Sequence, residues 1–118
     1  TAVSLMFLTL CALVVLSGEG IRLTHKDGDF EDSLELPPFE VYEFPGDIRS
    51  RCELIRGRVH DLSVFFRKGV TNASVEVVRV DEETAWNWSP QAAWNYLLAA
   101  NGDFEICTVG EETETLSQ

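Results

Sequence analysis

Few side chains in this chain are of types that do chemistry, and their spacing narrows them further. The two histidines are His25 and His60. His60 is followed directly by Asp61. In a strand, neighbouring side chains point to opposite faces, so this pair is badly placed for one to orient the other. There is no Gly-x-Ser-x-Gly elbow, no nucleophile–base pair at a useful spacing and no phosphate-cradling glycine loop. The sequence therefore predicts a non-enzymatic protein. Asp27-Gly28-Asp29, with Glu31 and Asp32, gathers hard oxygen ligands around a tight turn. Calcium needs six or more oxygens in one loop, and the run lacks EF-hand spacing, so it reads as a solvated acidic loop. No CxxC or Cys/His cluster is present, so neither a zinc site nor any cofactor is expected.

Cys52 and Cys107 suit one disulfide, which would close a loop of roughly 55 residues and stabilise the fold by about 4 kcal/mol. The alternative is two free buried thiols. Asn72-Ala73-Ser74 is an N-glycosylation sequon soon after Gly69, on an expected loop. Asn87-Trp88-Ser89 is a second, disfavoured by Pro90. Trp86, Trp88, Trp94 and Tyr96 form an aromatic cluster. Such residues fill a core or, as Trp86 and Trp88 could on one strand face, make a ligand surface.

The elements that must position these residues lie in 118 residues, one small domain at most. Hydrophobic residues make up 45%, as in a folded chain. The formal net charge is −11, against nucleic-acid partners and against an anionic membrane surface. Residues 1–18 carry no charge, and the apolar run Leu5–Leu16 has the length of a signal-peptide core, short of a membrane span. This predicts a signal peptide or signal anchor over 1–18 and an oxidising destination; a buried strand or helix of the domain is the alternative. Membrane contact is expected only through this segment or through sequence outside the chain. Residues 19–38 read as an acidic, turn-rich lead-in.

From there the chain reads mainly as strands. Phe39 and Val41 alternate with Glu40 and Tyr42 up to the Pro45-Gly46 turn. Leu62, Val64 and Phe66 alternate within Asp61–Arg67. Val75–Val80 is rich in β-branched residues, and Phe104–Thr108 is a last short strand. Spacings of about ten residues favour an antiparallel β-sandwich. One segment is contested. Ser89 and Pro90 make a good helix start, and Trp94, Leu97 and Leu98 share a helical face, which gives an α+β alternative with a helix over 89–100. The same residues also alternate as a strand.

The run Trp94-x-Tyr96-x5-Gly102-x-Phe104-x2-Cys107 resembles the end of a GOLD domain of the p24 (emp24/gp25L) family. Phe39–Gly46 followed by Arg51-Cys52-Glu53-Leu54 resembles that family's opening strand and first cysteine. The likeness covers about seventy residues, Phe39 to Thr108, and is most specific over Trp94–Cys107. It implies an all-β GOLD-like sandwich over 39–109; residues 110–118 read as an acidic stub, a departure from the family's pattern. The likeness also implies a Cys52–Cys107 bridge and structural core roles for Trp94, Tyr96, Gly102 and Phe104. The implied function is a lumenal one in the endoplasmic reticulum and Golgi, binding cargo proteins or sister p24-like subunits for vesicle-mediated transport. The alternative function is a secreted β-rich recognition module or effector, with sugar-binding through the tryptophans as one form of it.

Overall fold

A computed structural model describes residues 9–82, 85–90, 92–107 and 113–116. Two units divide the chain, Thr1–Val78 and Arg79–Gln118. Among the described residues every regular element is a strand, so the chain is all-β.

In the first unit the strands are β1 (Thr9–Ser17), β2 (Ile21–Asp27), β3 (Phe30–Leu36), β4 (Tyr42–Pro45), β5 (Arg49–Leu54) and β6 (His60–Arg67). They form two antiparallel three-stranded sheets, ordered β4-β1-β6 and β3-β2-β5. The central strands β1 and β2 carry the core. Cys11, Leu13 and Val15 of β1 cluster with Ile21 and Leu23 of β2 and Leu36 of β3, so the two sheets face each other across these residues. Leu34, Tyr42, Phe44 and Val59 pack against the cluster. Ala12 and Val14, on the other face of β1, are buried too. A central strand buried on both faces reads as an unbroken apolar run. The segment expected as a signal, from Thr9 onward, is therefore a strand of the fold and not a stretch ahead of it; residues 1–8 lie outside the described ones.

The expected acidic lead-in, 19–38, is the β2–β3 hairpin. Its ladder runs from Ile21 opposite Leu36 to Asp27 opposite Phe30, leaving Gly28-Asp29 as a two-residue loop. Gly28 has φ +61°, at the first central position where a type II′ turn calls for glycine. Paired residues in a ladder point to the same side. Ile21, Leu23 and His25 thus share the inner face with Leu34, Leu36 and Asp32, and Arg22, Thr24 and Lys26 share the outer face with Glu35, Ser33 and Glu31. On that outer face Arg22 and Glu35 pair at 2.8 Å and the Thr24 and Ser33 hydroxyls at 2.9 Å.

Other expectations shift with the ladder. Phe39 lies outside β4 at φ +65°, and its N–H donates to the Val15 carbonyl at 2.8 Å, beside the β1 bulge between Val15 and Ser17. The inward residues of β4 are Tyr42 and Phe44, the opposite parity from that expected. β6 spans the expected segment, but Leu62, Val64 and Phe66 pair with Val14, Ala12 and Leu10 and so lie on the face away from the inter-sheet core. Val75–Val80 forms no strand: β-branched residues favour extended backbone, but a strand exists only where a ladder partner is available.

In the second unit, β7 (Phe104–Cys107) and β8 (Thr113–Leu116) pair antiparallel, described as backbone. β8 lies within the expected acidic stub. Residues 92–103 form neither the expected helix nor a strand. Trp86 and Trp88 stack, with ring centroids 6.1 Å apart and planes 19° from parallel. Asn95 Nδ2 donates to the Ala92 carbonyl at 2.8 Å.

Candidate functional site

The first unit gathers its polar chemistry at His25. β2 turns this ring inward at the third position of the Ile21-x-Leu23-x-His25 alternation, and the residue is 7% exposed. Its Nδ1 lies 2.7 Å from Ser50 Oγ, on the neighbouring β5. Its Nε2 lies 2.9 Å from the Tyr42 hydroxyl, on β4 of the other sheet. The rings stack around it: His25 to Phe44 at 4.8 Å, His25 to Tyr42 at 5.8 Å, and Tyr42 to Phe44 at 5.4 Å.

Hydrogen-bond directions follow from counting protons. Ser50 has one, and donates it to the Ile48 carbonyl at 3.3 Å. Its oxygen therefore accepts from His25 Nδ1–H. In the neutral ring that leaves Nε2 as an acceptor, and the Tyr42 O–H donates to it. Tyr42 keeps this proton, because burial first and the Asp32 carboxylate second push the phenol above its ordinary value of 10.0. By residue type His25 and Ser50 are a base and a nucleophile, a pair that sequence spacing did not reveal. Here both ring nitrogens and the serine proton are already engaged. The cluster joins the two sheets.

Beside this tie the space between the sheets is open. By ladder register, Ser50, Cys52 and Leu54 of β5 share the inner face with His25, Leu23 and Ile21. Asp61, Ser63 and Phe65 of β6 share the inner face with Val15, Leu13 and Cys11. All six are exposed, although their partners on β1 and β2 are buried. The opposite edge is more closed, since Leu34, Tyr42 and Phe44 pack onto the core there. Asp61 acts on two thiols beside the opening. The Cys11 thiol is raised above its ordinary 9.0 by burial and then by Asp61. The Cys52 thiol is raised by burial, then Asp61, then Glu53. Among the described residues no three His, Cys, Asp or Glu side chains are placed to hold a metal ion.

The residues expected to matter are placed differently. Cys52, expected in a bridge to Cys107, is a free thiol on β5; the Cys107 side chain lies outside the described ones. Trp94 and Tyr96, expected in the core, are 80% and 86% exposed, because the segment that would have turned them inward forms no strand. Gly102 is exposed at φ +85°, and a Cβ there would meet nothing within 4 Å. The Phe104 side chain lies outside the described ones. Asn72 is exposed in the irregular segment after β6. Trp86 and Trp88 are each about 40% exposed, with Trp88 at 40% and Trp86 at 41%. His60 bonds Ser17 Oγ through Nδ1 at 2.8 Å. The signal that could have found His25 is the alternation of β2 and β3 about the Gly28 turn.

No curated protein and no solved structure matches the chain. A family model does: that of HutD, over residues 11–118. The match takes in β1 and continues past Cys107, beyond both ends of the stretch that resembled a GOLD domain. It overturns the p24 resemblance, which rested on one short run of aromatics, glycine and cysteine. The lumenal cargo-binding role, vesicular transport and the secreted-module alternative fall with it. The chain belongs to the HutD family.

Proposed function

We propose that this chain is a non-catalytic, small-ligand-binding protein associated with histidine utilisation, and that its ligand lodges between β5 and β6. The association comes from the family, which is linked to histidine utilisation and to a cupin-like fold. Two facing sheets closed at one edge and open at the other make an open sandwich, and double-sheet β folds of this kind commonly hold ligands between their sheets. The observation that carries the site is the exposure of Ser50, Cys52, Leu54, Asp61, Ser63 and Phe65 beside ladder partners on β1 and β2 that are buried.

A binding role fits the chemistry better than catalysis. His25 spends both nitrogens on Ser50 and Tyr42, and Ser50 spends its proton on Ile48. His25 is 7% exposed, so packing keeps a substrate from its ring. The test is titration of the protein with L-histidine and with imidazole, followed by backbone amide NMR. Binding in the opening shifts the amides of β5 and β6, and mass spectrometry recovers the ligand unchanged. A Ser63→Trp variant, which fills the opening from an exposed position, abolishes those shifts. Shifts confined to residues 79–118, or turnover of the ligand, would overturn the proposal.

A further inference from the structure

The inner face of the opening is unequal in charge. Along β6 the inward positions are Asp61, Ser63, Phe65 and Arg67, paired with Val15, Leu13, Cys11 and Thr9. Arg67 stands six residues from Asp61, roughly 20 Å along an extended strand, too far to neutralise it. On β5 the inward positions are Ser50, Cys52 and Leu54, none of them charged at neutral pH. Among the described residues no cation pairs with Asp61; the three ion pairs use Arg22, Arg51 and Arg56. The adjacent His60 is bonded to Ser17.

An unpaired carboxylate in a partly apolar opening, with Arg67 the other charged inner-face residue on β5 or β6 and about 20 Å away, favours a positive group there. A hard divalent cation is a poor candidate. It needs six or more oxygens, and the opening offers one carboxylate with the hydroxyls of Ser50 and Ser63. Leu54 and Phe65, exposed on the same faces at 59% and 65%, favour an organic body attached to the charge. We propose that the opening holds its ligand through a protonated nitrogen, an imidazolium or an ammonium, with the Asp61 carboxylate as its counter-ion and N–H acceptor. The Ser63 hydroxyl, two residues along the same face, accepts or donates the next hydrogen bond. This inference rests on the reading that ligand lodges between β5 and β6, and names the chemistry that seats it.

The test compares imidazole with thiazole, a ring of nearly the same size that stays uncharged and has no N–H. At about pH 6, where imidazole is largely protonated, binding is read from amide shifts on β5 and β6. Imidazole binds at least about tenfold more tightly than thiazole. Asp61→Asn raises the imidazole Kd by about tenfold and leaves thiazole unchanged, while Asp61→Glu retains most of the preference. Added salt weakens imidazole alone. Circular dichroism establishes that both exposed-site variants are folded. If imidazole and thiazole move the same β5 and β6 amides equally, or if Asp61→Asn leaves imidazole unaffected, the counter-ion role is overturned while the opening stands as the site. If no probe moves those amides, the location of the site fails, and this inference fails with it.

Discussion

The Tyr42 hydroxyl lies 2.9 Å from His25 Nε2, and this single bond links β4 of one sheet to β2 of the other through polar atoms. Its partner at Nδ1, Ser50, lies 2.7 Å away within the second sheet. The core between the sheets is otherwise apolar or thiol, so the bond fixes their relative position where dispersion alone would allow sliding.

Removing the hydroxyl isolates that contribution. In Tyr42→Phe the ring remains against Phe44, and only the donor to Nε2 is lost. A buried acceptor without a partner costs about 1–3 kcal/mol. Thermal unfolding of the variant is expected to shift down by several degrees, since 1 kcal/mol corresponds to roughly 4–8 °C in a small domain. Arg22→Ala supplies the comparison. Its ion pair with Glu35 is more than half exposed on both sides, and such surface pairs contribute at most about 1 kcal/mol. An equal loss in the two variants would show that the inter-sheet bond is not formed in solution.

Alkaline pH tests the same region from another direction. Tyr42, Cys11 and Cys52 all have folded pKa values raised above their ordinary 10.0, 9.0 and 9.0. Above those values the unfolded chain has lost protons that the folded chain still holds, so stability falls as pH rises. Their contribution is fully present below about pH 9 and is lost progressively above it. Denaturant midpoints measured across that range are expected to decline. In Cys11→Ala the decline is shallower, because a group that burial and Asp61 keep protonated has been removed. A midpoint constant above pH 9 would show that the fold does not hold these groups protonated.

β6 was legible as a strand because Leu62, Val64 and Phe66 alternate with Ser63 and Arg67, but its facing was not, since Phe65 breaks the pattern and the apolar set lies away from the inter-sheet core. The β2–β3 hairpin hid for the opposite reason. Its inward positions include His25 and Asp32, and its outward ones are charged, so period-two patterning is diluted to a generally polar stretch. β1 was misread because burial on both faces erases alternation and leaves the apolar run that a signal peptide also shows. The functional opening was not legible at all. It depends on which edge strand lies beside which central strand, a non-local fact that ladder register alone supplies. Residues 92–100 carry a sound cap at Ser89-Pro90 and helical spacing at Trp94, Leu97 and Leu98, yet local propensity decides little without an apolar surface to pack on.

The link between β1 and β2 depends on two glycines whose φ values are +98° and +99°. A Cβ on Gly18 would collide with the Arg58 carbonyl and sit 2.9 Å from Val59 Cγ2; one on Gly20 would sit 2.6 Å from the Leu36 carbonyl. Both obstacles include backbone, which cannot swing aside. At Gly28 nothing lies within 4 Å, and only the positive φ resists a side chain. Gly18→Ala and Gly20→Ala are each expected to cost more than Gly28→Ala, which loses about 1–2 kcal/mol from conformation alone. Chemical denaturation of the three variants ranks them, and a Gly28→Ala variant as damaged as the others would remove the steric argument.

Thiol accessibility separates the observed arrangement from a Cys52–Cys107 bridge. Cys11 is 1% exposed in the core, whereas Cys52 is exposed on edge strand β5, and both are free thiols. Alkylation requires the thiolate, so the raised pKa of each slows both reactions at neutral pH. Burial then adds a barrier at Cys11 alone, since reagent reaches it only when the sheets part. Native protein treated with iodoacetamide at mildly alkaline pH is expected to carry the label on the Cys52 peptide, with Cys11 labelled only after denaturant is added. Peptide mass spectrometry under non-reducing conditions reads both positions. Recovery of Cys52 in a disulfide-linked peptide, or labelling of Cys11 as fast as Cys52, would contradict the sheet packing on which the open edge depends.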